Sequence, residues 1–183
     1  MSKSTTDSIN SVLRVGDKAP DFVLTTEKGK KWRLSEQFGK VTALLFYPKS
    51  ETLVCNRQMC SVRDNWADYL KAKANVIGIS SGTIEELLNF SQRHRLPVTL
   101  LADAGREITK IYCKYWLPVQ LTRAVVIIDA RGIIRQRQIM LRVFRPPDKS
   151  ILTSIHAART EFMYEHYHHI LNESREKNKH LLQ

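Results

Sequence analysis

The chain has 183 residues, of which 43% are apolar, and this is enough to form the core of one domain. Its longest mostly apolar run covers only residues 41–47, which argues against a membrane-spanning helix of about 20 residues. A net charge of +11 would suit nucleic-acid binding, but the basic residues are spread along the chain without interleaved stacking aromatics. We therefore interpret them as a generic basic surface and expect neither a membrane nor a nucleic acid as partner.

The N-terminus and the cysteine content together predict a cytoplasmic protein. Residues 1–13 are polar, include no apolar segment typical of a secretory signal, and are expected to be flexible. The chain has three cysteines, Cys55, Cys60 and Cys113. This number is small and odd, whereas the disulfide framework of a secreted domain uses a larger, even number of cysteines. In a reducing compartment, such cysteines are buried apolar residues, metal ligands or redox centres.

Strand and helix patterns alternate in the first half of the chain. The run at 41–47 is continuously apolar, as in a strand buried on both faces. Thr83 and Glu86, three residues apart, form a capping box that marks the start of a helix. In chain order we predict a β-hairpin from strands at 22–26 and 31–34, a helical turn at 35–39, a strand at 41–47, a helix from Cys55 to about Lys73, a strand at 76–80 and a helix from Thr83 to about His94.

The same alternation continues in the second half and then gives way to a single helical pattern. Pro146 and Pro147 interrupt the chain, and apolar residues at helical spacing follow. We predict a strand at 99–102, a helix through Ile108 and Tyr112, a strand at 124–128, an antiparallel partner at 133–143 and a long helix from Asp148 to Gln183.

This order of elements predicts an α/β fold, with a central mixed sheet flanked by helices, an N-terminal hairpin and an extra C-terminal helix. We divide the chain into a flexible N-terminus at 1–13, one domain at 14–147 and a C-terminal helical extension at 148–183. The apolar stripe of the extension is expected to dock on the domain or on a second subunit.

Cys55 lies where a strand ends and a helix begins, which is a position that favours a reactive thiol. Unpaired backbone N–H groups and the positive end of the helix dipole stabilise a thiolate there. Thr52 offers a hydroxyl that can donate to the sulfur or to a bound oxygen, and Pro48 can shield the site from water. Arg123 starts a strand where loops gather above the sheet, and it is the candidate for a nearby positive charge.

Cys60 follows Cys55 by five residues, and helix geometry limits what this pair can do. On an ideal helix such residues lie about 140° apart around the axis and about 8–9 Å apart at Cα, beyond the roughly 7 Å limit for a disulfide. A bridge between them would require the first turns of the helix to unwind. The spacing alone leaves two inert buried cysteines as an alternative, and Cys113 is expected to be a buried packing residue.

Four motifs appear in order over residues 14–145. They are Val15-Gly-Asp-Lys-Ala-Pro20-Asp21-Phe22, Pro48-x3-Thr52-x2-Cys55, the segment Phe46-Tyr-Pro-Lys followed by Cys55-x4-Cys60-Ser-Val-Arg63-Asp64, and Arg123-Ala-Val-Val-Ile-Ile128-Asp129-x2-Gly132. Together they resemble the peroxiredoxins, and in particular the bacterioferritin comigratory protein (peroxiredoxin Q) branch.

The resemblance implies a thioredoxin-like fold and thiol-dependent reduction of hydrogen peroxide and organic hydroperoxides, with no metal or organic cofactor. By position, Cys55 is the peroxidatic thiol that becomes a sulfenic acid. Thr52 would orient the peroxide, Arg123 would stabilise negative charge and Pro48 would limit access of water. Cys60 would resolve the sulfenic acid as an intramolecular disulfide, which thioredoxin or a similar dithiol then reduces. Both a monomer and a homodimer are compatible with this interpretation of the chain as a peroxiredoxin.

The chain departs from the family pattern beside the nucleophile. Leu53 stands where proline is common, Asn56 where threonine is common and Gln58 where glutamate is frequent. Three alternatives to a peroxidase stay open at this point: a redox-sensing or partner-binding protein on the same fold with little turnover, a basic nucleic-acid-binding module, and a thiol–disulfide oxidoreductase. The last would prefer a Cys-x2-Cys motif, which this chain lacks.

Overall fold

The computed structural model describes residues 12–48, 53–114, 123–140 and 144–181, with side chains for all of these except 53–56 and 172–181. Of the predicted flexible segment 1–13, only residues 12 and 13 fall in this part of the chain. The elements are β1 (Val23–Thr26), β2 (Lys31–Arg33), a 3₁₀ turn (Ser35–Gln37), β3 (Thr42–Tyr47), α1 (Leu53–Asp64), α2 (Trp66–Lys71), β4 (Asn75–Ser80), α3 (Ile84–His94), β5 (Thr99–Ala102), α4 (Glu107–Tyr112), β6 (Arg123–Ile128), β7 (Ile134–Met140) and α5 (Asp148–Leu181).

Within the described residues, seven strands form one mixed sheet in the order β2-β1-β5-β4-β3-β6-β7. The central strands β3, β4 and β5 run parallel, because helices connect them, and the outer strands pair antiparallel. The two predicted hairpins are present, β1–β2 at one edge of the sheet and β6–β7 at the other. The predicted mixed α/β architecture is therefore confirmed.

The strand β3 lies between β4 and β6, and its alternating side chains divide the core into two layers. Ala43, Leu45 and Tyr47 belong to a cluster on one face, together with buried side chains of α1, α3 and α5. Leu44 and Phe46 belong to a cluster on the other face, together with buried side chains of α4 and β7. Because both faces are covered, the strand is continuously apolar, and this pattern made it predictable.

The prediction of one helix over residues 55–73 is wrong, because the structure has two helices there, α1 and α2. Asn65 lies between them with φ −101° and ψ 16°, outside the α-helical region. Its side-chain Nδ2 donates to the carbonyl oxygen of Ser61 at 2.9 Å. An asparagine that makes local side-chain hydrogen bonds to the backbone competes with regular helix, so the chain bends at this point.

The first turns of α5 are part of the hydrophobic core. Ile151, Ile155 and Ala158 are buried in the cluster that contains side chains of β3 and β6. One turn farther on, Glu161 accepts a hydrogen bond from Arg135 of β7. The predicted docking of the C-terminal stripe on the domain is thus observed for these turns. Although α5 has 34 residues, neither it nor any other described helix has the length and apolarity needed to cross a membrane.

Candidate active site

The candidate nucleophile lies at the carboxyl end of β3, in the middle of the sheet. Pro48 follows β3 directly and is half-buried, and its carbonyl accepts a hydrogen bond from Oγ of Ser81 at 2.5 Å. Because Ser81 follows β4, this contact joins the carboxyl ends of adjacent parallel strands, which is where α/β sheets bind ligands. Cys55 is the third residue of α1, so its backbone lies at the helix N-terminus. Its side chain lies outside the described part of the structure, as does all of Thr52.

Arg123 is completely buried, and it reaches from the sheet to the helix that contains Cys55. It is the first residue of β6, the strand next to β3. Its Nη1 donates a hydrogen bond to Oε1 of Gln58. Gln58 lies three residues after Cys55, which places the two residues on the same face of α1, one turn apart. The structure therefore brings the predicted cation to the first turns of this helix.

Gln58 is a site residue whose role the sequence pattern did not reveal. Its side chain is 2% exposed, and its amide Nε2 has no hydrogen-bond partner among the described residues. The amide is neutral, so it holds the Arg123 guanidinium without compensating its charge, whereas a carboxylate at this position would neutralise it. A buried donor without a partner costs free energy, and an acceptor bound at the site would recover it.

Cys60 lies on the same helix but contacts a different neighbour. Its half-buried Sγ is 3.8 Å from Nδ1 of His94, the last residue of α3. The ring of His94 packs edge-on against Phe90, with 4.9 Å between the ring centroids. Because α1 is continuous through both cysteines, their Cα atoms keep the helical separation of about 8–9 Å, and a Cys55–Cys60 disulfide requires local unwinding. The sequence offered no signal for His94, which is 34 residues away.

Cys113 lies apart from this site, in the core layer on the opposite face of the sheet from α1. It is 6% exposed. Burial raises the pKa of its thiol to about 12, although the nearby Arg137 guanidinium acts in the opposite direction. Such a thiol stays protonated at neutral pH, so the structure agrees with the predicted packing role.

A cavity of 480 Å³ lies beneath α5, and it is not part of the candidate active site. Its walls include Lys40, Val41 and Phe162. Val41 directly precedes β3, whereas Pro48 follows the other end of that strand, so the length of β3 separates the cavity from the site. The cavity lining contains no cysteine among the described residues.

Known proteins share both the sequence pattern and the fold of this chain. The profile of the AhpC/TSA family matches residues 15–137. The chloroplastic peroxiredoxin Q of Populus jackii is 33% identical over 139 residues, which cover 73% of this chain and 64% of that protein. The putative peroxiredoxin bcp of Coxiella burnetii is 38% identical over 100 residues, which cover 55% of this chain and 66% of that protein. The chain thus spans less than two thirds of the length of either relative.

The crystal structure of peroxidoxin BcpB from Mycobacterium tuberculosis matches this structure with a TM-score of 0.68 and 25% sequence identity. The match covers 80% of this chain and 99% of that chain. These comparisons confirm the resemblance seen in the four motifs and the thioredoxin-like fold class that it implied.

Proposed function

This chain belongs to the AhpC/TSA family, and on that premise we propose that it is a thiol-dependent peroxidase of the peroxiredoxin type, which reduces hydrogen peroxide and organic hydroperoxides. The proposal rests above all on the buried Arg123, which is bonded to Gln58 one turn after Cys55. A buried guanidinium stabilises negative charge strongly, because the surrounding dielectric is low. Both the attacking thiolate and the departing oxygen are negatively charged.

In the first step, the Cys55 thiolate attacks the terminal oxygen of the peroxide, ROOH. An S–O bond forms while the O–O bond breaks, and the hydroxyl group is transferred to sulfur as a sulfenic acid. The alkoxide that leaves takes up a proton and becomes the alcohol, or water when the substrate is hydrogen peroxide. We assign stabilisation of this oxygen to Arg123, orientation of the peroxide to Thr52, and exclusion of water to Pro48. The buried Nε2 of Gln58 offers a further donor to a bound oxygen.

In the second step, Cys60 attacks the sulfenic sulfur, so that an S–S bond forms and water leaves. The helical separation of the two cysteines requires the N-terminal turns of α1 to unwind first. A dithiol reductant of the thioredoxin type then attacks the disulfide and restores both thiols. The whole cycle uses side chains and the reductant, without a metal or an organic cofactor.

A redox sensor with little turnover is the second candidate, and one observation favours it. The C-terminal half of α1 is held in place, because Ser61 donates to Asp148 of α5 and Arg63 donates to the carbonyl oxygen of His94 at 2.8 Å. These contacts oppose opening of the helix around Cys60. If α1 opens slowly, the sulfenic acid of Cys55 persists because Cys60 cannot reach it. A long-lived oxidised protein suits signalling better than it suits rapid peroxide turnover.

The experiment that tests the proposal is peroxide-dependent oxidation of NADPH in the presence of thioredoxin and thioredoxin reductase. We expect turnover by the wild type, complete loss in Cys55→Ser and a large loss in Cys60→Ser. Cys113→Ser is the matched control and should keep wild-type turnover, because Cys113 lies on the other face of the sheet. Full reduction of the wild type by thioredoxin without peroxide turnover would contradict the peroxidase and favour the sensor.

A further inference from the structure

We propose that His94 is the general base that activates Cys60 as the resolving thiol, an inference that rests on the proposed peroxidase function. The contact of 3.8 Å between Cys60 Sγ and His94 Nδ1 is the primary observation. Both side chains are half-buried, so the pair is partly shielded from water. His94 is also held by its neighbours, because its ring packs against Phe90 and its carbonyl accepts a hydrogen bond from Arg63.

The electrostatic surroundings favour charge separation between the two side chains. His94 is the last residue of α3, and the negative end of a helix dipole stabilises an imidazolium. Arg63 lies three residues after Cys60 on α1 and forms an ion pair with Asp64. The hydrogen bond from Arg63 to Asp64 raises the pKa of Arg63 although burial acts in the opposite direction, so Arg63 keeps its positive charge on the helix that contains Cys60.

A third element, α5, contacts α1 at Ser61, the residue that follows Cys60. Asp148, the first residue of α5, accepts a hydrogen bond from Ser61, which is next to Cys60. Asp148 also lies 3.8 Å from Arg145, so a cation accompanies its negative charge. Among the described residues, the charges on the elements next to the pair include the Arg63–Asp64 and Arg145–Asp148 ion pairs, and Arg93 and Arg95 flank His94 in the chain.

The proton transfer has a defined direction. In the neutral ring, Nδ1 accepts the Cys60 proton when the ring proton is on Nε2, and the products are a thiolate and an imidazolium. The thiolate attacks the sulfenic sulfur of Cys55, the S–S bond forms and the S–O bond breaks. The hydroxide that leaves takes a proton from solvent and becomes water, while the His94 imidazolium returns its proton to solvent. Atoms and charges therefore balance, with no net uptake or release of protons.

This role also explains why the second cysteine faces α3 while it is reduced. Cys60 gains a proton acceptor there, and it gives up this contact only when α1 unwinds toward Cys55. His94 and Cys60 are therefore in contact in the reduced protein, and we expect them to be apart in the disulfide form.

The decisive test is the rate at which iodoacetamide alkylates Cys60 between pH 5.5 and 9 in the full chain with Cys55→Ser. Adding His94→Asn keeps an amide nitrogen near the place of Nδ1 but removes the ability to take up a proton. An ordinary cysteine is only a few per cent thiolate at neutral pH, so we expect this change to slow alkylation at pH 7 by about tenfold or more. His156→Asn, which changes an exposed histidine of α5, is the control and should leave the rate unchanged.

The same alkylation rate and pH profile in both double variants would overturn the proposal. If His94→Asn does not fold, His94→Gln, which likewise cannot take up a proton, replaces it in the Cys55→Ser background. An alkylation rate of Cys60 equal to that of the His156→Asn control would then overturn the proposal.

A second measurement separates this inference from the proposed function. After peroxide is mixed with the wild type and with His94→Asn, we expect equal rates of sulfenic acid formation. Its decay should slow by about 10²-fold in the variant, at the lower end of what a positioned base contributes. Failure of the wild type to form a sulfenic acid would overturn the peroxidase itself, whereas normal formation with equal decay would overturn only the role of His94.

Discussion

The carboxylate of Asp148, the first residue of α5, accepts a hydrogen bond from the hydroxyl group of Tyr69 at 2.7 Å. The second oxygen of the same carboxylate accepts from Ser61 of α1. Burial raises the pKa of Tyr69, and the hydrogen bond to Asp148 raises it further, so Tyr69 remains a donor over the whole physiological range. One carboxylate therefore connects α1, α2 and α5 beside Cys60.

We predict that Asp148→Ala lowers the free energy of unfolding by about 1–3 kcal/mol, because it leaves two partly buried hydroxyl groups without their acceptor. Urea denaturation measures the change. Asp68→Ala is the matched control, because the exposed side chain of Asp68 forms a surface ion pair with Lys71, and it should change the stability by less than about 0.5 kcal/mol. Equal effects of the two substitutions would show that the connection does not stabilise the fold.

A second prediction concerns the acceptor that holds Arg123. Gln58→Ala removes this acceptor from a buried guanidinium, and we expect it to reduce the free energy of unfolding by about 1–3 kcal/mol. Peroxidase activity should fall as well, because Arg123 then loses its hydrogen bond to Gln58 in the first turns of α1. Gln58→Glu restores an acceptor for Arg123 and should recover the stability at neutral pH. The stability and the activity of the two Gln58 variants are compared with those of Gln92→Ala, a substitution at an exposed position of α3. Wild-type activity and stability in Gln58→Ala would rule out this role.

The sequence predicted the parts of the fold that local pattern determines. The strand β3 is continuously apolar because both of its faces are covered, and the start of α3 follows from the capping box of Thr83 and Glu86, which the structure contains. The prediction failed at Asn65, where one polar side chain redirects the helix while the apolar spacing continues across the break.

The same distinction applies to the candidate site. Cys55, Cys60 and Arg123 were proposed as site residues from motifs. The structure brings Arg123 of β6 into contact with Gln58 of α1, while the catalytic roles stay predictions. The contacts of Gln58 with Arg123 and of Cys60 with His94 join residues that are far apart in sequence. Such contacts depend on how strands and helices are arranged in space, and no spacing within one segment encodes them.

A third prediction concerns the remaining cysteine. Because burial raises the pKa of Cys113 to about 12, we expect this thiol to resist alkylation by iodoacetamide in the native protein at pH 8. Once urea unfolds the chain, we expect Cys113 to be alkylated at the rate of an exposed cysteine. Cys60, which is half-buried, serves as the internal comparison and should react in the native state. Peptide mass spectrometry distinguishes the two sites. Rapid native alkylation of Cys113 would show that this core layer opens readily.

A fourth prediction concerns acid stability. Burial alone would raise the pKa of Asp21, but hydrogen bonds from the backbone and side chain of Ser35 and from Arg33 outweigh it and lower the pKa below its ordinary value of 3.8. A lowered pKa means that the carboxylate stabilises the fold above pH 3.8, and that this contribution disappears as the pH falls through the folded-state value.

Asp21→Asn should therefore reduce the stability at pH 7 and have progressively less effect below pH 3.8. Because Asp21 is exposed, water screens the interaction, and we expect a loss of less than about 1 kcal/mol. Urea denaturation of both proteins at several pH values measures the difference. A difference that grows as the pH falls would contradict this sign.

The last prediction concerns where the domain ends. The sequence predicts a boundary at residue 147 between the domain and the C-terminal extension, and Ile155 of α5 is completely buried in the cluster that also contains β3 and β6. Ile155→Ala should therefore cost about 2–5 kcal/mol, as expected for a core position. Met163→Ala lies two turns farther along the same helix, where the side chain is 59% exposed, and should cost less than about 0.5 kcal/mol. If unfolding in urea shows this contrast in a single transition, the first turns of α5 fold with the domain, whereas a small effect of Ile155→Ala would support the predicted boundary at 147.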